Sequence, residues 1–323
     1  MILISTNWDM IMLNPVYQFL QNKLHSPLDI PTPQIADLPM GKMQFAIYGE
    51  GIPLLFLHGG VGGYDQSILL FKRYIPQGYK MICPSRPGYL GTPLETGQSK
   101  EAQADALAAL LDYLQISSII ITGISAGGLS LYTFASRHPE RVKAIIAIDA
   151  IAGEYLIPEQ TGKIAQNMFL TDFSLWFTKE SLVYFPETVI KNLIRAEGYL
   201  DQQKIDQRVK EIVESQEQLE VIAELIYSMS DYAPRQLGTI NDMKEGANAK
   251  WDNFAKIECP ALIIHGTHDA DVKFYHGVFA YEQLKSKKKS KIWLEYGTHY
   301  CFFFAKEATS AQEKFREFII EYS

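Results

Sequence analysis

A serine set among glycines, Gly123-Ile124-Ser125-Ala126-Gly127-Gly128, directly follows the apolar run at 119–122 and precedes a helical stretch at 129–137. At a tight strand-to-helix turn a serine is forced into a strained backbone conformation. Only small residues two positions to either side let strand and helix approach. Such a turn lifts the hydroxyl above the sheet edge and sets it at a helix N-terminus, where free N–H groups favour a developing oxyanion. A serine hydroxyl becomes a useful nucleophile once an imidazole takes its proton, and the imidazole needs a carboxylate to fix its tautomer. Both arrive late in the chain. Gly266-Thr267-His268-Asp269 follows the apolar run at 261–264, and Gly297-Thr298-His299 follows the run at 291–295. The order Ser125, Asp269, His299 supplies nucleophile, acid and general base, each just past the end of an expected strand.

A second glycine-rich loop, His58-Gly59-Gly60-Val61-Gly62-Gly63, follows the apolar segment 53–57. It lacks the Lys-Ser/Thr of a phosphate-binding loop and the third glycine of a dinucleotide fingerprint. It reads instead as half of an oxyanion hole, with the N–H of Gly60 and the N–H of Ala126 holding the tetrahedral oxygen. Among seven histidines, only His299 follows the last expected strand; His58 would order the oxyanion loop, and His138 and His265 read as structural. His268 and His276 flank the acid loop, while Asp149, at the end of the run 144–148, and Asp271 rival Asp269 for the acid. No metal-ligand spacing and no nucleotide or flavin fingerprint occurs, so this chemistry calls for no metal and no cofactor.

The elements that must position these residues alternate. Strands are expected at 43–48 and 53–57, joined by a Gly49-Glu50-Gly51 turn, and at 81–84, 119–122, 144–148, 261–264 and 291–295. The stretch 101–114 is helical, with Leu107, Leu110, Leu111 and Leu114 at i, i+3, i+4 and i+7. The apolar runs fit strands buried on both faces, so the pattern predicts an α/β fold with a mostly parallel, helix-covered central sheet. The alternation stops at 151–250, a helical insertion with strong helical periodicity at 202–227. This insertion carries an aromatic-rich segment, Phe169, Phe173, Trp176, Phe177, Tyr184 and Phe185, of which Phe173, Trp176 and Phe177 are candidates for an apolar substrate wall. The expected organisation is an N-terminal extension over 1–40, with a short amphipathic helix docked on the main domain and a Pro-rich link. A core over 41–150 and 251–323 and a helical cap over 151–250 complete it.

Of the 323 residues, 47% are hydrophobic and 21% charged, a composition that supports a sizeable core. A net charge of −7 argues against nucleic acid as a partner. The basic run at 285–291 reads as a solvated loop. No apolar window long enough to span a membrane occurs, and the N-terminus makes a poor signal peptide. Cys83, Cys259 and Cys301 form no CxxC pair, which fits a reducing, cytoplasmic setting.

From residue 43 onward the chain resembles the α/β-hydrolase superfamily, the insertion matching that family's helical cap. The resemblance is carried by His58-Gly59-Gly60, Arg86-Pro87-Gly88-Tyr89-Leu90-Gly91, the turn at Ser125, His138-Pro139-Glu140-Arg141-Val142, Gly266-Thr267-His268-Asp269 and Gly297-Thr298-His299. It implies a Ser-His-Asp triad, an acyl-enzyme intermediate and a small-molecule substrate. The expected activity is cleavage of an ester or related acyl bond in a small to medium, mainly apolar substrate. The same fold also serves C–C bond hydrolases, thioesterases, aminopeptidases and non-catalytic ligand binders. Ser85 stands where many members carry an acid, and Val61 where related proline-releasing peptidases carry proline, which weakens the peptidase reading. A carboxylate-nucleophile enzyme would need Asp at position 125.

Overall fold

The computed structural model describes residues 14–156, 171–250 and 254–323; Phe169, Trp251 and the first thirteen residues lie outside that set. In chain order the elements begin with α1 (Pro15–His25), β1 (Gln34–Leu38), β2 (Gly41–Gly49), β3 (Ile52–Leu57), α2 (Tyr64–Phe71) and β4 (Tyr79–Pro84). Next come α3 (Lys100–Tyr113), β5 (Ile119–Ile124), α4 (Gly127–Arg137) and β6 (Val142–Ile148). The insertion supplies α5 (Asp172–Tyr184), α6 (Pro186–Glu197), α7 (Gln202–Glu214), α8 (Gln216–Met229) and α9 (Gln236–Ala247). The chain then returns through β7 (Ala261–Gly266), α10 (Tyr275–Gln283), β8 (Lys289–Leu294), α11 (Cys301–Phe304) and α12 (Ala308–Tyr322).

The sheet has the order β1-β2-β4-β3-β5-β6-β7-β8, parallel from β4 to β8, with β1 and β2 antiparallel at one edge. Two features differ from the sequence reading. Gln34–Leu38, expected within the Pro-rich link, is the edge strand and pairs with β2. β2 and β3, though joined by the expected glycine turn, do not pair; β4 lies between them, because β3 runs parallel to both β4 and β5.

Strand alternation divides the core. Leu54 and Phe56 of β3 face one layer with Ile120, Ile146 and Ile264, where α2, α12 and the insertion helices pack. Leu55 and Leu57 face the other with Ile121, Ile145 and Ile263, under α3, α4 and α10. Each of these side chains is worth about 1.5–3 kcal/mol once buried. The long periodic stretch 202–227 forms two helices rather than one. Ser215 ends α7 through its N–H on Ile212 O, and its hydroxyl accepts the Gln218 N–H at 3.3 Å to start α8.

The insertion is not peripheral to this core. Leu182, Ile190, Ile212 and Ile222 belong to the same buried cluster as β3 and α2, and α1 docks there through Leu20 and Leu24. At the junction Glu224 of α8 is fully buried, with Arg73 Nη2 at 2.5 Å, Lys23 Nζ at 3.0 Å and Lys72 Nζ at 3.4 Å. One carboxylate thus ties the N-terminal helix, the segment after α2 and the insertion. Removing one partner of a buried ionic group leaves charges uncompensated and costs about 3–5 kcal/mol. Glu224→Gln should destabilise the protein by that amount in chemical denaturation, whereas a midpoint within experimental error of the parent would show that the three cations are solvated without it.

Candidate active site

The carboxyl ends of β3, β5, β6, β7 and β8 share one sheet edge, and each delivers a functional loop there. After β5, Ser125 sits at φ +53°, in the left-handed region that a side chain enters only when its surroundings enforce it. Its N–H donates to Ile148 O and its carbonyl accepts from Gly128 and Ile151 N–H, so both peptide groups around it are pinned. A Cβ at Gly127 would lie 2.5 Å from Leu57 O, and one at Gly123 3.0 Å from the Leu131 Cβ. The glycines two residues to either side are therefore a packing necessity, as the motif implies.

The loop after β3 runs directly over this turn: a Cβ at Gly59 would stand 3.1 Å from the Ser125 Cβ. His58 accepts the Arg86 N–H on Nε2 at 2.9 Å and therefore carries its proton on Nδ1, which donates to Gly59 O at 2.7 Å. Burial, and after it the Arg86 charge, holds this imidazole well below its ordinary range, so it remains neutral. The buried Arg86 donates to the carbonyls of His58 and Gly59 and forks onto both oxygens of Asp242 in α9. Arg235 donates to Gly62 O at 2.7 Å and pairs with Asp65, while Thr239 Oγ1 accepts the Val61 N–H. Two arginines thus hold the loop's carbonyls away from the serine. Among the described residues the N–H groups of Gly60 and Ala126 have no acceptor. Two unpaired N–H donors flank a strained serine.

His299 and Asp269 meet at the same edge, buried to 2% exposure each, with Nδ1 donating to Oδ2 at 2.8 Å. Asp269 Oδ1 accepts the N–H groups of Asp271 and Val272, which aims Oδ2 at the imidazole. Burial pushes the Asp269 carboxyl up to about 6, against the pull of His299, so it remains ionised at neutral pH. Burial also disfavours the charged imidazole, but Asp269, its hydrogen bond, Asp271 and Asp149 outweigh it and hold His299 well above the ordinary value. On the far side of the ring Nε2 lies 3.5 Å from Asp271 Oδ2, and the other Asp271 oxygen accepts from Tyr155 OH. No hydrogen bond joins Nε2 to Ser125 among the described residues, and such contacts often close only once substrate is bound.

The rival carboxylate, Asp149, is fully buried at φ +44° and serves main-chain amides: Gly266 N–H at 2.9 Å and Cys301 N–H at 3.2 Å. It braces the loops after β7 and β8 and makes no hydrogen bond to His299. Asp149, Asp269 and His299 together place potential ligand atoms within 4.8 Å of one another. Their lone pairs already face N–H donors, which would repel a cation, so the set does not fit a resident metal. His265 Nε2 lies 2.8 Å from Val272 O and 3.7 Å from Asp269 Oδ2, and burial lowers its pKa. His276 accepts the Ala152 N–H and is lowered to about 3 by burial, and His138 pairs with Asp105. His268 packs against Tyr296 with the rings tilted, 4.9 Å between centroids.

Phe173, Trp176 and Phe177 lie along α5, exposed by 72, 48 and 58%, and pack on one another at 5.9 and 6.3 Å. They form an exposed aromatic cluster on that helix. The sequence reading did not foresee Arg235, Thr239, Asp242 and Tyr155 as supports of the site. Each lies more than 100 positions from its partner, and no local pattern announces such a contact.

A family model described as the alpha/beta hydrolase fold matches residues 52–297. The chain is 30% identical to the uncharacterized hydrolase YcgS of Bacillus subtilis (strain 168), over 76% of this chain and 84% of that protein. An alpha/beta hydrolase fold protein from Nakamurella multipartita superposes with a TM-score of 0.83 at 29% identity, covering 89% of this chain and 99% of its own. An esterase from Rhodococcus sp. ECU1013 shares the fold, with a TM-score of 0.61 at 18% identity over 91% of this chain and all of its own.

The electrostatics of His299 can be checked without any substrate. A nearby carboxylate favours the imidazolium, so removing it moves the proton's release to lower pH. In NMR titrations the His299 midpoint should lie above the ordinary 6.5, and Asp271→Asn should lower it. A midpoint indifferent to Asp271 would detach that carboxylate from the ring.

Proposed function

The chain belongs to the alpha/beta hydrolase fold family, and from that premise we propose a serine hydrolase that cleaves uncharged carboxylic esters through an acyl-enzyme. The observation that carries this reading is the pairing of two unoccupied N–H donors, on Gly60 and Ala126, with a strained Ser125 and a buried His299–Asp269 pair.

In this mechanism the neutral form of His299, populated as pH rises toward its raised midpoint, takes the Ser125 Oγ proton on Nε2 as the oxygen attacks the acyl carbon. The carbonyl oxygen becomes an oxyanion between the Gly60 and Ala126 N–H groups, each donor lowering the barrier by about 3–4 kcal/mol. Asp269 keeps Nδ1 protonated throughout and stabilises the imidazolium. Nε2–H then protonates the departing alkoxide, leaving the acyl group on Ser125. Water enters, gives its proton to Nε2 and attacks the ester; collapse returns the proton to Ser125 Oγ and frees the acid. All of these steps run on side chains and amides of this chain.

The acid-lined flank of the site, with Asp271 beside Nε2, favours uncharged or donor-bearing substrates over anions. Small-molecule esters of modest size suit the site, and the free thiols of Cys83, Cys259 and Cys301 suit a reducing cytoplasm. No described helix is long and apolar enough to cross a membrane.

A fluorophosphonate probe should label Ser125 stoichiometrically, and Ser125→Ala should lose both the label and about 10⁴–10⁶ of kcat on an activated acetyl ester. Asp269→Asn should cost about 10⁴ through the wrong imidazole tautomer, with Asp149→Asn retaining the triad. Labelling at a different serine in the Ser125→Ala protein, or the larger loss in Asp149→Asn, would remove the respective assignment. On 4-nitrophenyl esters, the acetate should be turned over at least tenfold faster than the singly charged hemisuccinate, since one carboxylate pair at close range is worth about 1.4 kcal/mol or more. Equal rates would count against an uncharged substrate.

A further inference from the structure

The C-terminus of α6 runs into the catalytic loops. The carbonyl of Glu197, in the last turn and so without a partner inside its helix, accepts the Ala270 N–H at 3.0 Å and the His299 N–H at 3.1 Å. One oxygen therefore joins the loop that carries the acid to the residue that is the base. The next residue, Gly198, is extended and forms an antiparallel bridge with Asp269 itself. Tyr199 N–H then donates to His268 O at 3.0 Å. There is no spare room along this seam: a Cβ on Gly198 would stand 2.1 Å from Thr298 Cγ2 and 2.8 Å from Thr298 Cβ. Three consecutive insertion residues thus contact His268, Asp269, Ala270, Thr298 and His299, all through backbone or through a glycine.

We infer that Glu197, Gly198 and Tyr199 form a positioning strut that sets the register of the Asp269 loop against the His299 loop. This rests on the serine-hydrolase reading above and assigns the insertion a part in the chemistry beyond covering the site. The physical need is plain. The loops after β7 and β8 leave the sheet separately, and a 2.8 Å Nδ1–Oδ2 contact between them tolerates little drift. Misplacement by an ångström can cost about 10²-fold in rate. A carbonyl that accepts from both loops removes their relative sliding, and the helix it ends directs its negative pole toward the imidazolium side of the pair. Movement of the insertion away from the core would break these contacts together, so its placement and the acid–base geometry change as one.

The experiment uses the full-length protein, an activated acetyl ester and the rate of fluorophosphonate labelling at Ser125. Gly198→Ala should lower kcat and the labelling rate together by about 10–100-fold, with KM within a few-fold and a melting temperature within a few degrees. Adding Thr298→Ser, which deletes the 2.1 Å contact but keeps the 2.8 Å approach to Cβ, should recover part of that loss. Tyr199→Pro removes one strut hydrogen bond without adding bulk at Thr298 and should lose kcat in the same sense, which keeps the test decisive if Gly198→Ala does not fold. Lys23→Gln removes one cation of the Glu220–Glu224 cluster between α1 and α8, which none of the strut residues touches, and should lower stability while sparing kcat. The strut is overturned by a fully active Gly198→Ala, by a loss confined to KM, by failure of Thr298→Ser to restore rate, or by an equal kcat loss in Lys23→Gln. A wild-type protein that the probe never labels would overturn the serine-hydrolase reading and the strut with it; normal wild-type labelling with an indifferent Gly198 overturns the strut alone.

Discussion

An imidazole and a carboxylate 2.8 Å apart, both nearly sealed from water, are expensive to assemble and useless if they move. Desolvating either group alone would neutralise it. Together, with Oδ1 of Asp269 held by two amides, each favours the other's charged form, and the carboxylate's orientation is set by backbone. Much of the remaining architecture serves that requirement. Asp149 fastens Gly266 on one loop and Cys301 on the other. Phe302, three residues past the imidazole, packs between Tyr74 and Phe315 at ring distances of 5.3 Å each, which anchors the helix that follows His299 in the core.

The opposite wall of the site is built on the same logic with the signs reversed. Carbonyl oxygens must be turned away from the serine so that N–H groups face it. Buried guanidinium groups do this, since they offer several donors in a fixed plane. Arg86 takes two loop carbonyls and Arg235 a third, and each is neutralised by an aspartate. The cost appears as backbone strain. Val61, Ser125 and Asp149 all occupy the left-handed region, and all three follow strands at the one working edge of the sheet. Strain collected at a site, and absent from the strands that feed it, is what a surrounding structure rigid enough to impose geometry produces.

The helical insertion is continuous with this system. Its hydrophobic residues join the core beneath α2, its Asp242 neutralises Arg86, its Thr239 accepts from Val61, and its Glu224 gathers three cations from two other segments. A separate lid resting on the sheet would need none of these buried charges. Through them the insertion is tied both to the glycine-rich loop after β3 and to the N-terminal helix.

The sequence by itself determined what depends on neighbours along the chain. Apolar runs without alternation marked the strands buried on both faces, and glycines at 123 and 127 marked the one turn that could present Ser125. Where Asp269 and His299 lie relative to their strands was legible for the same reason, because each follows its strand within a few residues. Tertiary structure alone decided the rest. Strand order inserted β4 between β2 and β3, since pairing depends on which edges remain open and not on proximity in the chain. The aromatic segment at Phe173, Trp176 and Phe177 suited the inside of the insertion or an apolar wall to the site, and its exposure is set only by tertiary packing. The partners of Arg86, Arg235 and His299 come from segments far along the chain. Their selection rests on complementary charge and on the room left by a glycine, quantities that exist only once the backbone has closed.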